Sequence, residues 1–257
     1  MNKYLVLVLV FICILFILDY PFLDKFIINS LKESEYGKVE RIVDGDTIIV
    51  DNQSVRLLGI NTPERGELLY QEAKEFLEEK INNKTVRLEY NEDKYDKYGR
   101  KLAFVFLDNE NINIKIVKQG FANPYILSYS EYNKYIRKAW QECIDNNKNL
   151  CEKSKDKCKD CIILQNINIA DQEVLFFNNC SYDCNLTNWQ IKDEGRKKLT
   201  FNKTYIKSNK EIKILVSNCT SSQDLICWNK QDYVWTKDGD TLFLRDVNGK
   251  LVLWYNY

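Results

Sequence analysis

Between Gly37 and Ile60 the chain carries three short runs of strand character, Gly37–Val43, Thr47–Val50 and Val55–Ile60, each separated from the next by turn residues. Runs this short, alternating this quickly with turns, read as strands and exclude a helical bundle over this stretch. Leu69, Ala73, Phe76, Leu77 and Ile81 then recur at helical spacing, so residues 68–82 read as an amphipathic helix. Strand character returns at Val86–Tyr90 and Leu102–Leu107. Ile112–Gln119, closed by Gly120, and Glu131–Asn146 read as two further helices.

That order, three strands, a helix, two strands and two helices, suits a five-stranded barrel of the oligonucleotide-binding (OB) type with three helices packed outside it. Residues 152–162 are a Cys/Lys-rich linker with little apolar content. Beyond it Glu173–Phe177, Trp189–Lys192, Glu211–Ser217, Thr241–Arg245 and Lys250–Tyr255 read as short strands separated by Asn, Gly and Asp turns. Such spacing predicts a β-sandwich over residues 163–257. The expected fold is therefore mainly β with helices: an OB barrel over residues 36–151, then an immunoglobulin-like sandwich.

From Tyr4 to Leu18 every residue is apolar, preceded by Lys3 and followed by Asp19. This reads as an N-terminal signal-anchor or signal peptide within residues 1–25, with the remainder of the chain outside the cytoplasm. Cysteine usage agrees with export. Cys13 lies in the apolar segment, and Cys143, Cys151, Cys158, Cys161, Cys180, Cys184, Cys219 and Cys227 follow as an even set that suggests disulfides. Zinc at Cys158-x-x-Cys161 is the rival reading, weakened by the lack of a second closely spaced pair.

The charges balance, 37 Lys and Arg against 37 Asp and Glu, so the chain is not a broadly basic nucleic-acid binder. It has no histidine, which removes histidine bases and histidine-ligated metals from consideration. Chemistry must run on carboxylates, arginine and metal. Asp44-Gly45-Asp46-Thr47 places two carboxylates at a turn, but Asp238-Gly239-Asp240-Thr241 repeats the tetrapeptide, so by itself it is more often a hairpin turn than a site. Further along, Pro63 in Asn61-Thr62-Pro63-Glu64 breaks the strand, letting Glu64 project toward Asp46 as a water-activating base. The bland alternative is an acid favoured by the dipole of the following helix. Arg56 and Arg100 could clamp a phosphate, or simply be surface ion-pair partners.

Taken in order, VDGDT, RLLGINTPE, YDKYGRKLAFVF and the later VKQGFA (residues 117–122) resemble the staphylococcal nuclease (thermonuclease) family over residues 36–151. The resemblance implies a calcium-dependent phosphodiesterase on an OB barrel that acts on DNA and RNA and leaves 3′-phosphate products. It implies Arg56, Glu64 and Arg100 as catalytic residues, Asp46, Asn61 and the carbonyl of Thr62 as Ca2+ ligands, and Lys97 and Tyr98 near a terminal phosphate of the substrate. One departure stands out: the family has aspartate where this chain has Asn61. The amide keeps an oxygen ligand but removes a charge, so weaker calcium binding is expected, with Asp44 a candidate outer ligand. Tyr125 and Tyr129 lie close to, but out of register with, the family's substrate-flanking tyrosines.

Residues 163–257, through Asp171-Gln172-Glu173-Val174, Leu186–Ile191 and Trp235–Asp246, resemble a lamin-tail domain, which implies a binding or anchoring module of open ligand. Its tryptophans read as core and edge packing. The leading expectation is thus an exported, membrane-anchored or secreted calcium-dependent nuclease. The alternative is a non-catalytic nucleic-acid or envelope binding protein that works through the C-terminal sandwich.

Overall fold

The computed structural model describes residue 3 and residues 33–257, apart from 127 and 230. The apolar N-terminal segment and Cys13 lie outside the described residues; among those described, no helix is long and apolar enough to cross a membrane.

Five strands close into a barrel: β1 (Ser34–Ile42), β2 (Thr47–Val50), β3 (Gln53–Leu57), β4 (Thr85–Tyr95) and β5 (Lys101–Leu107). Their order is β3-β2-β1-β4-β5, antiparallel throughout, and a parallel pairing of β3 with β5 closes the ring. Closure needs curvature, and β1 supplies some of it where its register to β2 shifts between Val39 and Arg41. Three helices, α1 (Tyr70–Ile81), α2 (Ile112–Lys118) and α3 (Asn133–Asp145), accompany the barrel. Leu77, Ile81, Ile112, Ile116, Ile136 and Trp140 from these helices join Val39, Ile48, Leu57, Leu88 and Val105 in one buried core.

The third run does not continue to Ile60 as one strand. It ends at Leu57, because Gly59 turns the backbone at φ +75 and a side chain there would strike Ile136 Cδ1 at 2.4 Å. Ile60–Asn61 instead pairs antiparallel with Asn123–Pro124.

The C-terminal part contains two four-stranded sheets. One runs β11-β10-β7-β6, from β6 (Ile162–Asn168), β7 (Glu173–Asn178), β10 (Glu211–Leu215) and β11 (Leu225–Cys227). The other runs β9-β8-β12-β13, from β8 (Gln190–Lys192), β9 (Lys198–Thr200), β12 (Thr241–Arg245) and β13 (Leu251–Asn256). Val174, Phe176, Ile212 and Ile214 of the first sheet share a core with Ile191, Leu242 and Leu244 of the second. The strand β6 has no counterpart in the sequence reading, since Gln165 and Asn166 break its apolar pattern.

All eight described cysteines form disulfides: Cys143–Cys151, Cys158–Cys184, Cys161–Cys180 and Cys219–Cys227. Cys158 and Cys161 take different partners, which rules out a shared metal for the pair in this oxidised state. Residues 152–154 are pinned to β13: Leu251 N donates to the Glu152 carbonyl and Ser154 N to the Leu251 carbonyl, each at 2.8 Å. The two parts also share apolar core. Phe243 and Leu251 are buried with the barrel residues, and Trp140 of α3 meets Phe243 and Trp254 edge-on, centroids 5.6 and 6.2 Å apart.

Candidate active site

The β2–β3 register sets Thr47 opposite Arg56, and so brings Asp46 beside the Arg56 guanidinium. Asp44 shapes the turn before β2 by accepting the Asp46 N–H on Oδ1 at 3.1 Å. Burial, and then the charge of Asp46, raise the Asp44 carboxyl above its usual range. Gly45 is needed for close approach: a Cβ there would sit 2.8 Å from Ala73 Cβ and 2.9 Å from Thr62. Asp46 itself is 4% exposed. Its Oδ2 accepts both the N–H and the hydroxyl of Thr62 at 2.9 Å, and its Oδ1 lies 3.1 Å from Arg56 Nη1. Arg56 also donates through Nη1 to the Leu57 carbonyl at 3.0 Å and through Nη2 to Asn61 Oδ1 at 3.3 Å. These hydrogen bonds accompany the buried ion pair, as a desolvated pair requires.

Arg100 is placed by a separate device. Gly99 takes φ +79 at the turn between β4 and β5, and Asp96 Oδ1 accepts the N–H groups of Tyr98 and Arg100 at 2.9 Å. Asp96 Oδ2 then receives Arg100 Nε at 2.7 Å. Burial pushes the Asp96 carboxyl up, but these hydrogen bonds and the guanidinium outweigh it and hold the group below its usual range. Arg56, Asn61, Lys97, Tyr98, Arg100 and Tyr125 line one cleft of about 440 Å³. Tyr129 is not part of it and stands 88% exposed.

Glu64 does not line this cleft; its N–H donates to Glu67 Oε2 at 2.9 Å. Its carboxylate contacts neither Arg56 nor Arg100. Instead Oε1 receives Arg196 Nε at 2.6 Å, from the turn that joins β8 to β9. The same turn reaches Asn61, whose Nδ2 donates to the Gly195 carbonyl at 2.8 Å and the Glu194 carbonyl at 3.3 Å. The turn is built by Asp193, whose Oδ1 accepts the Lys197 N–H at 2.9 Å. It is backed by the second Asp-Gly-Asp-Thr: Asp240 Oδ1 accepts the Glu194 N–H at 3.2 Å, and Thr241 Oγ1 donates to Glu194 Oε2 at 3.1 Å. Burial, followed by the Asp240 charge, raises Asp193 to about 6 and Glu194 to about 7.

Sequence reasoning missed this turn and the scaffolding role of Asp238–Thr241. The available signal was Lys192-Asp193-Glu194-Gly195-Arg196-Lys197-Lys198, a charged turn without chemistry of its own, together with the unexplained amide at Asn61.

The donor chemistry of Asp46, Asn61 Oδ1 and the Thr62 carbonyl fits a hard divalent cation, since all three are oxygens. Among the described residues no three acidic or cysteine side chains converge on one cation position, so such a set rests on a single carboxylate. Asp44 faces the Asp46 main chain.

A closed five-stranded OB-type barrel with buried carboxylate, paired arginines and a lateral cleft defines the class of this protein. The family profile described as staphylococcal nuclease homologue matches residues 54–157. The chain is similar to the thermonuclease of Staphylococcus hyicus, 36% identical over 135 residues that make up 48% of this chain and 79% of that protein. It is similar to the thermonuclease of Staphylococcus intermedius, 36% identical over 126 residues, 45% of this chain and 75% of that one. An uncharacterized endonuclease of Haemophilus influenzae is 37% identical over 99 residues, 37% of this chain and 54% of its own length. The chain belongs to the staphylococcal nuclease family.

Proposed function

We propose that this chain is a calcium-dependent nuclease that hydrolyses phosphodiester bonds of DNA, RNA or both, outside the cytoplasm. The observation that carries the reading is the cleft that holds Arg56 and Arg100 together, with Asp46 paired to Arg56 and Glu64 paired to the cleft residue Arg196. In this reading Glu64 takes a proton from the attacking water. Arg56 and Arg100 bind the phosphate and neutralise charge as it builds on the equatorial oxygens, a role suited to planar, bidentate guanidinium groups. Lys97 and Tyr98 receive a terminal phosphate of the substrate, and the products carry 3′-phosphate. Asp46, Asn61 and the Thr62 carbonyl would hold the calcium ion, which supplies Lewis-acid polarisation of the phosphoryl oxygen. The lamin-tail resemblance of residues 163–257 suggests a binding role for that part, and the N-terminal apolar segment an anchor or export signal.

The test is to incubate the oxidised chain with DNA and with RNA, in calcium or in chelator. Cleavage in calcium alone, lost in Glu64→Gln, is the expected result. Absence of calcium-dependent cleavage, or undiminished cleavage by Glu64→Gln, would leave the non-catalytic binding protein as the better reading.

A further inference from the structure

The carboxylates and arginines of the proposed catalytic and metal site are already paired within the molecule. Asp46 is paired with Arg56, Arg100 with Asp96, and Glu64 with Arg196. The first two pairs belong to the barrel. The third crosses from the C-terminal part, and it puts an Nε–H on the carboxylate oxygen Oε1 of Glu64, 2.6 Å away. An oxygen that accepts a guanidinium N–H is less available to a water. The same turn sets the carbonyls of Gly195 and Glu194 over Asn61. An amide at this position donates to both. A carboxylate would face two carbonyl oxygens with no proton between them, so Asn61 suits a site that receives this turn.

We propose that the Asp193–Lys197 turn is an intramolecular inhibitor of the nuclease site, with Arg196 masking Glu64 and Asn61 serving as its receptor. This rests on the nuclease reading above. Among the described residues the turn is held at its base by Asp240 and Thr241, and it meets the barrel through one ion pair and two hydrogen bonds from Asn61. Arg196 and Glu64 are 64% and 43% exposed as side chains, so solvent screens their pair and keeps it weak. Nucleic acid that seats its phosphates on the arginines of the cleft can therefore displace the turn. The resting enzyme is held off without being locked.

Two measurements on the full chain test the proposal. Arg196→Ala and Arg196→Glu are expected to raise kcat on a short single-stranded oligonucleotide about two- to fivefold, the range an exposed ion pair can supply. Arg196→Lys should fall between them and the parent. A drop in kcat/KM for Arg196→Ala would overturn the proposal and make Arg196 a substrate-binding group. Independently, hydrogen exchange of residues 194–197 should speed up when a cleavage-resistant phosphorothioate single strand binds; unchanged or slower exchange overturns it. If no variant cleaves, the nuclease reading fails, and the exchange result still decides whether the turn competes with nucleic acid.

Discussion

The residues of the cleft differ in what they do for the fold, and this separates their expected mutational signatures. Arg56 is buried against Asp46, so Arg56→Ala leaves a carboxylate desolvated and should cost about 3 kcal/mol or more of stability, read as a lowered urea midpoint. Asp96→Ala should leave the fold intact, since its main partners lie in a surface turn, yet lower kcat by about tenfold because Arg100 loses its orientation. An unchanged kcat would show that Arg100 does not act on substrate. At Asn61 two effects point the same way. Asn61→Asp adds a ligand charge and repels the Gly195 carbonyl, so calcium should half-saturate the protein at lower concentration by calorimetric titration. An equal or higher requirement would contradict the assignment of Asn61 as a ligand.

At the scale of elements, periodicity carried the reading where one face of a segment is buried. Ala73, Leu77 and Ile81 line the inner face of α1, which runs from Tyr70 to Ile81 within the stretch expected from 68 to 82. The barrel strands were legible for the same reason. What escaped were elements set by partners distant in sequence: Ile60–Asn61 is paired by Asn123–Pro124, and β6 is made a strand by its pairing with β7. The site shows the same division. Asp46, Arg56 and Arg100 were singled out by motifs in order along one stretch of sequence, whereas the contact of Arg196 with Glu64 spans two modules and leaves no local pattern. The β8–β9 turn also titrates. Asp193 and Glu194 are raised to about 6 and about 7, so the native form binds their protons more tightly than the unfolded chain. Their contribution to stability is complete below the unfolded values near 4 and is lost as pH rises through about 6 and 7. Denaturant midpoints should fall over that window, and Glu194→Gln should flatten the fall.

Taken whole, the molecule is a barrel and a two-sheet unit joined through apolar core and main-chain pairing along residues 152–154. Trp140 stands at the junction, against Phe243 and Trp254. Trp140→Ala should cost about 3–5 kcal/mol and shift melting of both parts together in calorimetry; two separated transitions would show that they fold independently. The strand β13, Leu251–Asn256, places Leu251 in the barrel core. Synthesis runs from N- to C-terminus, so a nascent chain whose β13 is still inside the ribosome has an incomplete barrel core. The barrel of such a chain is expected to reach its final packing only together with the two-sheet unit that follows it, never ahead of it.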